Sequence, residues 1–85
     1  MEELFKKVIN ATESRKHSLT LWTHCFRGVT YIQIAIHRKD EYGFTADVED
    51  SADSYYDSEE AIAAWLDRWI DIISEEAKHD NEGTG

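Results

Sequence analysis

SLTLWTHCFRGVTYIQIAIH, residues 18–37, consists of two runs rich in β-branched and aromatic residues, separated only by Arg27 and Gly28. A connection of two residues closes a β-hairpin, and Gly28 accepts the positive φ that such turns demand. The turn fixes the register: Phe26 must face Val29, and the pairs run outward from there. His24 then faces Tyr31, Trp22 faces Gln33, Thr20 faces Ala35 and Ser18 faces His37 on one side of the hairpin. On the other side Cys25 faces Thr30, Thr23 faces Ile32, Leu21 faces Ile34 and Leu19 faces Ile36. This second face is aliphatic and predicts the core, whereas a one-residue slip would scatter it. The first gathers Trp22, His24, Phe26, Val29, Tyr31, Ala35 and His37.

Beyond the hairpin, RKDEYG (38–43) reads as a second turn leading to a third strand, FTADV (44–48). There Phe44, Ala46 and Val48 alternate with polar residues and are expected to extend the core face. In EELFKKVINATE the apolar residues Leu4, Phe5, Val8, Ile9 and Ala11 recur at helical spacing opposite Lys6, Lys7 and Asn10, predicting a helix from about Glu2 to Thr12. A longer stripe runs through SEEAIAAWLDRWIDIISEEAK (58–78), where Ile62, Trp65, Leu66, Trp69, Ile70, Ile73 and Ala77 share one side. Asp57 stands three residues before Glu60, the spacing of a capping box, and Ser58 offers a second cap. The fold class is therefore a two-layer α+β domain, an antiparallel meander of three strands between N- and C-terminal helices. Residues 1–79 form one domain and 80–85 a polar tail expected to fray. The register leaves open which sheet face the first helix covers.

Charge is distributed unevenly along the 85 residues. The first 46 hold seven basic and five acidic residues, a balance of +2, while residues 47–85 hold thirteen acids against Arg68 and Lys78, a balance of −11. DVEDSADSYYDSEE (47–60) alone has seven carboxylates and no basic residue. Asp57, Glu59 and Glu60 suit a helix start, where the dipole favours negative charge. Asp47, Glu49, Asp50 and Asp53 have no such local reason, and with Tyr55 they read as a partner-binding loop. On the last helix Glu60, Asp67, Asp71 and Glu75 lie opposite the apolar stripe and extend that negative surface. Such a field repels nucleic acid and anionic lipid and attracts a basic protein surface. The aromatic hairpin face, with Trp22, His24, Phe26 and Tyr31, is a second candidate interface, for a partner or for a second copy of the chain. Tyr56 reads instead as a hydrophobic staple on the helix start.

Signals for chemistry are sparse. His24 and Cys25 are adjacent and point to opposite sides of a strand, and His17, His37 and His79 lack ligand spacing, so no metal site is expected. The acidic stretch lacks the glycine and closing glutamate of a calcium loop, and the chain has neither a phosphate-binding glycine loop nor a serine nucleophile motif. No cofactor and no catalytic activity are expected. Cys25 stands alone, which fits a reducing compartment, and no apolar run is long enough for a signal or a membrane span, so the cytoplasm is the expected location.

A short meander followed by YYDSEEAIAAWLDRW (55–69), in a small, acidic chain without proline, resembles the small phage-encoded inhibitors of bacterial defence, notably certain anti-CRISPR proteins. The resemblance spans about residues 29–70. It implies a bacterial host cell and a protein that blocks a nucleic-acid-handling complex by occupying its basic groove, a DNA mimic. The acids named above come from the charge map and not from the resemblance. A reading of another class is a small dimeric adaptor or chaperone that binds through the aromatic sheet face, with acidity serving solubility.

Overall fold

The computed structural model describes residues 2–11 and 13–83, with the backbone alone for Ala46 and residues 81–83. At its centre the Arg27–Gly28 turn joins β1 (His17–Phe26) to β2 (Val29–Lys39). Both turn residues have positive φ, 52° at Arg27 and 78° at Gly28, the condition for a type I′ turn whose twist matches its strands. Every predicted pair from Phe26–Val29 to Ser18–His37 forms, and a further pair, His17–Arg38, extends the ladder. The strand order is β1-β2-β3, all antiparallel, with β3 (Thr45–Asp53) on the far side of β2. The chain has the α-β-β-β-α order of a two-layer α+β fold, with α1 (Glu2–Asn10) and α2 (Glu59–Gly83) at either end of the meander.

Both helices cover the aliphatic face. Leu4 of α1 and Ile62 and Leu66 of α2 form one buried cluster with Ile32, Ile34 and Ala52, and Val8, Leu19, Leu21, Ala63, Trp65 and Ile70 pack around it. Ile36 and Ile73 prolong the buried layer. The stripe read from α2 is thus the stripe it buries. In α1 only part of the apolar set turns inward: Leu4 is buried and Val8, one turn on, packs against the same cluster, but Ile9 is 75% exposed. The expected continuation to Thr12 lies partly outside the described residues.

The third strand departs from expectation. It is longer, running to Asp53, so the stretch read as an acidic loop is mostly strand. Its register shifts between Ile36 and His37: Ile36 pairs with Asp50 while His37 pairs with Val48, leaving Glu49 as an extra residue. One extra residue reverses the facing of everything beyond it. Asp50 and Ala52 therefore lie on the core face, whereas Val48 is 55% exposed and Phe44, outside the strand, is 71% exposed. The turn before β3 forms as expected: the Asp40 carboxylate accepts the Tyr42 and Phe44 N–H groups, and Gly43 takes φ 86°.

At the start of α2 the cap is Ser58, whose hydroxyl accepts the Ala61 N–H at 3.2 Å, and not Asp57. Tyr56 is 82% exposed and does not act as a staple. At the other end the helix continues to Gly83, past the point where the polar tail was expected, and Asp80 is tied to the sheet layer by accepting the Arg15 N–H at 2.8 Å.

The turn conformation makes a prediction. A Cβ at Gly28 meets nothing within 4 Å, so the cost of Gly28→Ala is backbone strain alone, about 1–2 kcal/mol. Arg27→Asn, which tolerates the left-handed region better, is expected to gain a few tenths of a kcal/mol at most. The urea midpoints of the two variants, moving in opposite directions, check this.

Candidate functional site

The sequence predicts two binding surfaces, an acidic one and an aromatic one. The acidic set divides between β3, with Asp47, Glu49, Asp50 and Asp53, and the outward side of α2, with Glu60, Asp67, Asp71 and Glu75. Several of these carboxylates are engaged within the fold. The most consequential correction is Asp50. Because the bulge turns it inward, one of its oxygens accepts both indole N–H groups of α2, from Trp65 at 2.8 Å and Trp69 at 3.0 Å, and the other accepts the Ser51 N–H. It joins helix to sheet and is not free to meet a partner.

Glu49, the bulged residue, contacts Nε2 of His17, a buried imidazole whose Nδ1 lies 2.7 Å from Glu76 on α2. Glu76 also accepts the Ser14 hydroxyl, and the Trp69 ring sits 5.3 Å from the His17 ring. Asp67 pairs with Lys7 of α1, and Asp53 lies 3.3 Å from Nε2 of His24 and accepts the Tyr55 N–H. Glu75 stands 4.0 Å from His79, one helical turn on. Asp47, Glu60 and Asp71 are exposed and, among the described residues, make no ion pair. Of the predicted acidic set, Asp50 and Glu49 meet part-buried partners, while Asp47, Glu60, Asp67, Asp71 and Glu75 stay exposed at the start of β3 and on the helix exterior.

The aromatic surface, by contrast, is assembled as the hairpin register requires. Neither helix covers it. Trp22, Phe26, Val29 and Tyr55 are each 47–51% exposed. Their rings connect: His24 stacks on Tyr31 at 5.4 Å, Tyr31 meets Tyr55 edge-on at 5.1 Å, and Tyr55 touches both Phe26 and Tyr56. Trp22 presents its edge to His37, which shares a hydrogen bond with Thr20. Tyr55, which the sequence places with the acidic set, comes from the β3–α2 turn and joins its ring to the aromatic face while its N–H is held by Asp53. Asp53 is the one member of the acidic set in contact with that face. The participation of Tyr55 follows from the length of β3, which carries the turn back over the end of the hairpin.

Among the described residues no cluster of His, Cys, Asp or Glu side chains could hold a metal ion, and no helix is long and apolar enough to cross a membrane. One depression, about 600 Å³, is an open trough whose lining includes Glu13, Arg15, Lys39, Asp40, Tyr42 and Asp80. Its lysine is engaged by Glu13 and by the Ser14 carbonyl. Compared with known protein families, curated proteins and solved structures, the chain matches none.

The Asp50 carboxyl is held below the ordinary aspartate range, chiefly by the Trp69 N–H, and also by the Trp65 and Ser51 N–H groups and the Arg68 charge, against partial burial, which pushes the other way. A carboxyl with a depressed folded-state pKa stabilises the fold fully above its unfolded value, near 4, and loses that contribution as the pH falls through and below it. Asp50→Asn is therefore expected to be less stable than the parent at neutral pH, with the gap closing from about pH 4 downward. Urea midpoints of both proteins between neutral and acid pH test it, and a gap independent of pH would remove the carboxylate from the explanation.

Proposed function

We propose that the protein is a non-catalytic binding protein, an inhibitor of the phage-encoded anti-CRISPR kind, acting in the bacterial cytoplasm by blocking the basic nucleic-acid-binding site of a host defence complex. The contact surface is the outer face of the sheet. One observation carries this reading: a layer of connected, half-exposed aromatic rings is left uncovered by both helices, on a chain with a formal charge of −9. Aromatic anchors of this kind concentrate binding energy at protein interfaces, and an exposed apolar patch on a small domain marks such a site.

The acids take a different part from the anchors. Asp47, Glu60, Asp71 and Glu75 supply a long-range negative field that draws a lysine- and arginine-rich partner inward, an effect on association rate that salt screens. Nucleic acid is the ligand displaced, not one bound. In this division of labour the charge selects the class of partner and the rings hold it.

A second reading, a homodimeric adaptor or chaperone, uses the same face and is favoured by the same exposed rings. The two differ in what is found on that face. Capture from bacterial lysate, with mass spectrometry of the retained proteins, is expected to recover a basic, nucleic-acid-handling complex that DNA competes away. Trp22→Ala and Tyr55→Ala should each weaken capture at least about tenfold. The triple variant Glu60→Gln, Asp71→Asn, Glu75→Gln should chiefly lower the rate of association and flatten its salt dependence. Full capture by folded Trp22→Ala and Tyr55→Ala proteins would exclude the sheet face. A dimer in light scattering that Trp22→Ala dissociates would transfer the face to the adaptor reading.

A further inference from the structure

At the end of the aromatic face, where the β3–α2 turn crosses the hairpin, His24, Cys25, Phe26, Asp53, Tyr55 and Tyr56 line a pocket of about 300 Å³. Its chemistry is selective. Three of its lining residues, Phe26, Tyr55 and Tyr56, carry rings whose faces are electron-rich, and the Tyr55 ring lies 6.1 Å from Phe26 and 4.9 Å from Tyr56. The Asp53 side chain, 18% exposed, adds a carboxylate, and no lysine or arginine is among the lining residues. Aromatic faces around a carboxylate make a site for an organic cation: the rings attract positive charge through their quadrupoles while the carboxylate accepts its hydrogen bonds.

The chain itself supplies a precedent, since the guanidinium of Arg27 lies over the Phe26 ring, 5.2 Å from its centre. A planar guanidinium suits such a site better than an ammonium, because it stacks on a ring with its flat side and donates hydrogen bonds from its edge. We propose that this pocket receives an arginine side chain of the protein partner, with Tyr55 and Phe26 as its walls and Asp53 as the counter-ion. The negative charge of the whole chain favours the same occupant, since the complementary surface is basic.

This assignment rests on the outer sheet face being the interface, but its test needs no defence complex, so each can fail without the other. The probe is acetyl-Gly-Arg-Gly-amide, titrated into the isotope-labelled full chain at constant pH and ionic strength and followed by NMR. Saturable shifts confined to His24, Phe26, Asp53, Tyr55 and Tyr56 are expected. The same peptide with citrulline in place of arginine keeps the shape and loses the charge, and should bind at least about tenfold more weakly, as a charge-assisted contact requires. The lysine peptide should also bind more weakly than the arginine one. Asp53→Asn should reduce arginine affinity several-fold; Tyr55→Leu, which keeps bulk and the backbone contact to Asp53, should do so as well. Equal binding of arginine and citrulline, equal binding of lysine, or shifts spread along the carboxylates of α2 and indifferent to Asp53→Asn would each overturn the proposal.

Discussion

Two left-handed residues govern this fold. With Arg27 and Gly28 both at positive φ, the hairpin closes in two residues and cannot slip. That single constraint sends Leu19, Leu21, Ile32, Ile34 and Ile36 to one side and the rings of Trp22, His24, Phe26 and Tyr31 to the other. The helices have one apolar surface to cover, and they cover it. The aromatic side is left open as a direct result of the same turn, so core and candidate interface are two outcomes of one register.

A second constraint is the bulge at Glu49, which converts a charged strand into the clasp of the helix layer. Asp50 reaches Trp65 and Trp69, Glu49 reaches His17, and Glu76 closes the line with His17 and Ser14. These contacts run along one side of α2, next to the aliphatic cluster. They leave no buried side-chain nitrogen or oxygen unpartnered among the described residues, which matters because an unpaired buried polar group costs about 1–3 kcal/mol. Apolar burial holds the helix down, and the polar seam determines where along the sheet it sits.

The residues differ in how openly their sequence announces them. The β1–β2 register was legible because turn length and alternation agree, and the stripe of α2 because seven apolar residues keep helical spacing over more than four turns. The third strand was not. DVEDSAD has little β propensity, and a bulge inverts the very alternation by which a strand is recognised. Asp50 looked like an exposed acid because its partners lie fifteen and nineteen residues away on another element. His17 gave no sign for the same reason: its two carboxylates come from β3 and α2 and meet only in three dimensions. Of the binding surfaces, the aromatic face was visible as alternate residues of a hairpin. Its extension through Tyr55 depended on where β3 ends, and a strand whose pattern is hidden does not reveal its end.

The placement of the three tryptophans has an optical consequence. Trp65 and Trp69 share a carboxylate under the helix layer, half-buried, while Trp22 stands half in solvent on the opposite side of the sheet. One sheet separates them, yet the indoles on its two sides sit in different media. The intrinsic emission of the protein is therefore a composite, with a polar-seam component sensitive to the seating of α2 and a red-shifted component sensitive to whatever covers the sheet. A partner that covers the sheet acts on the Trp22 component, and a reseating of α2 acts on that of Trp65 and Trp69, without a label.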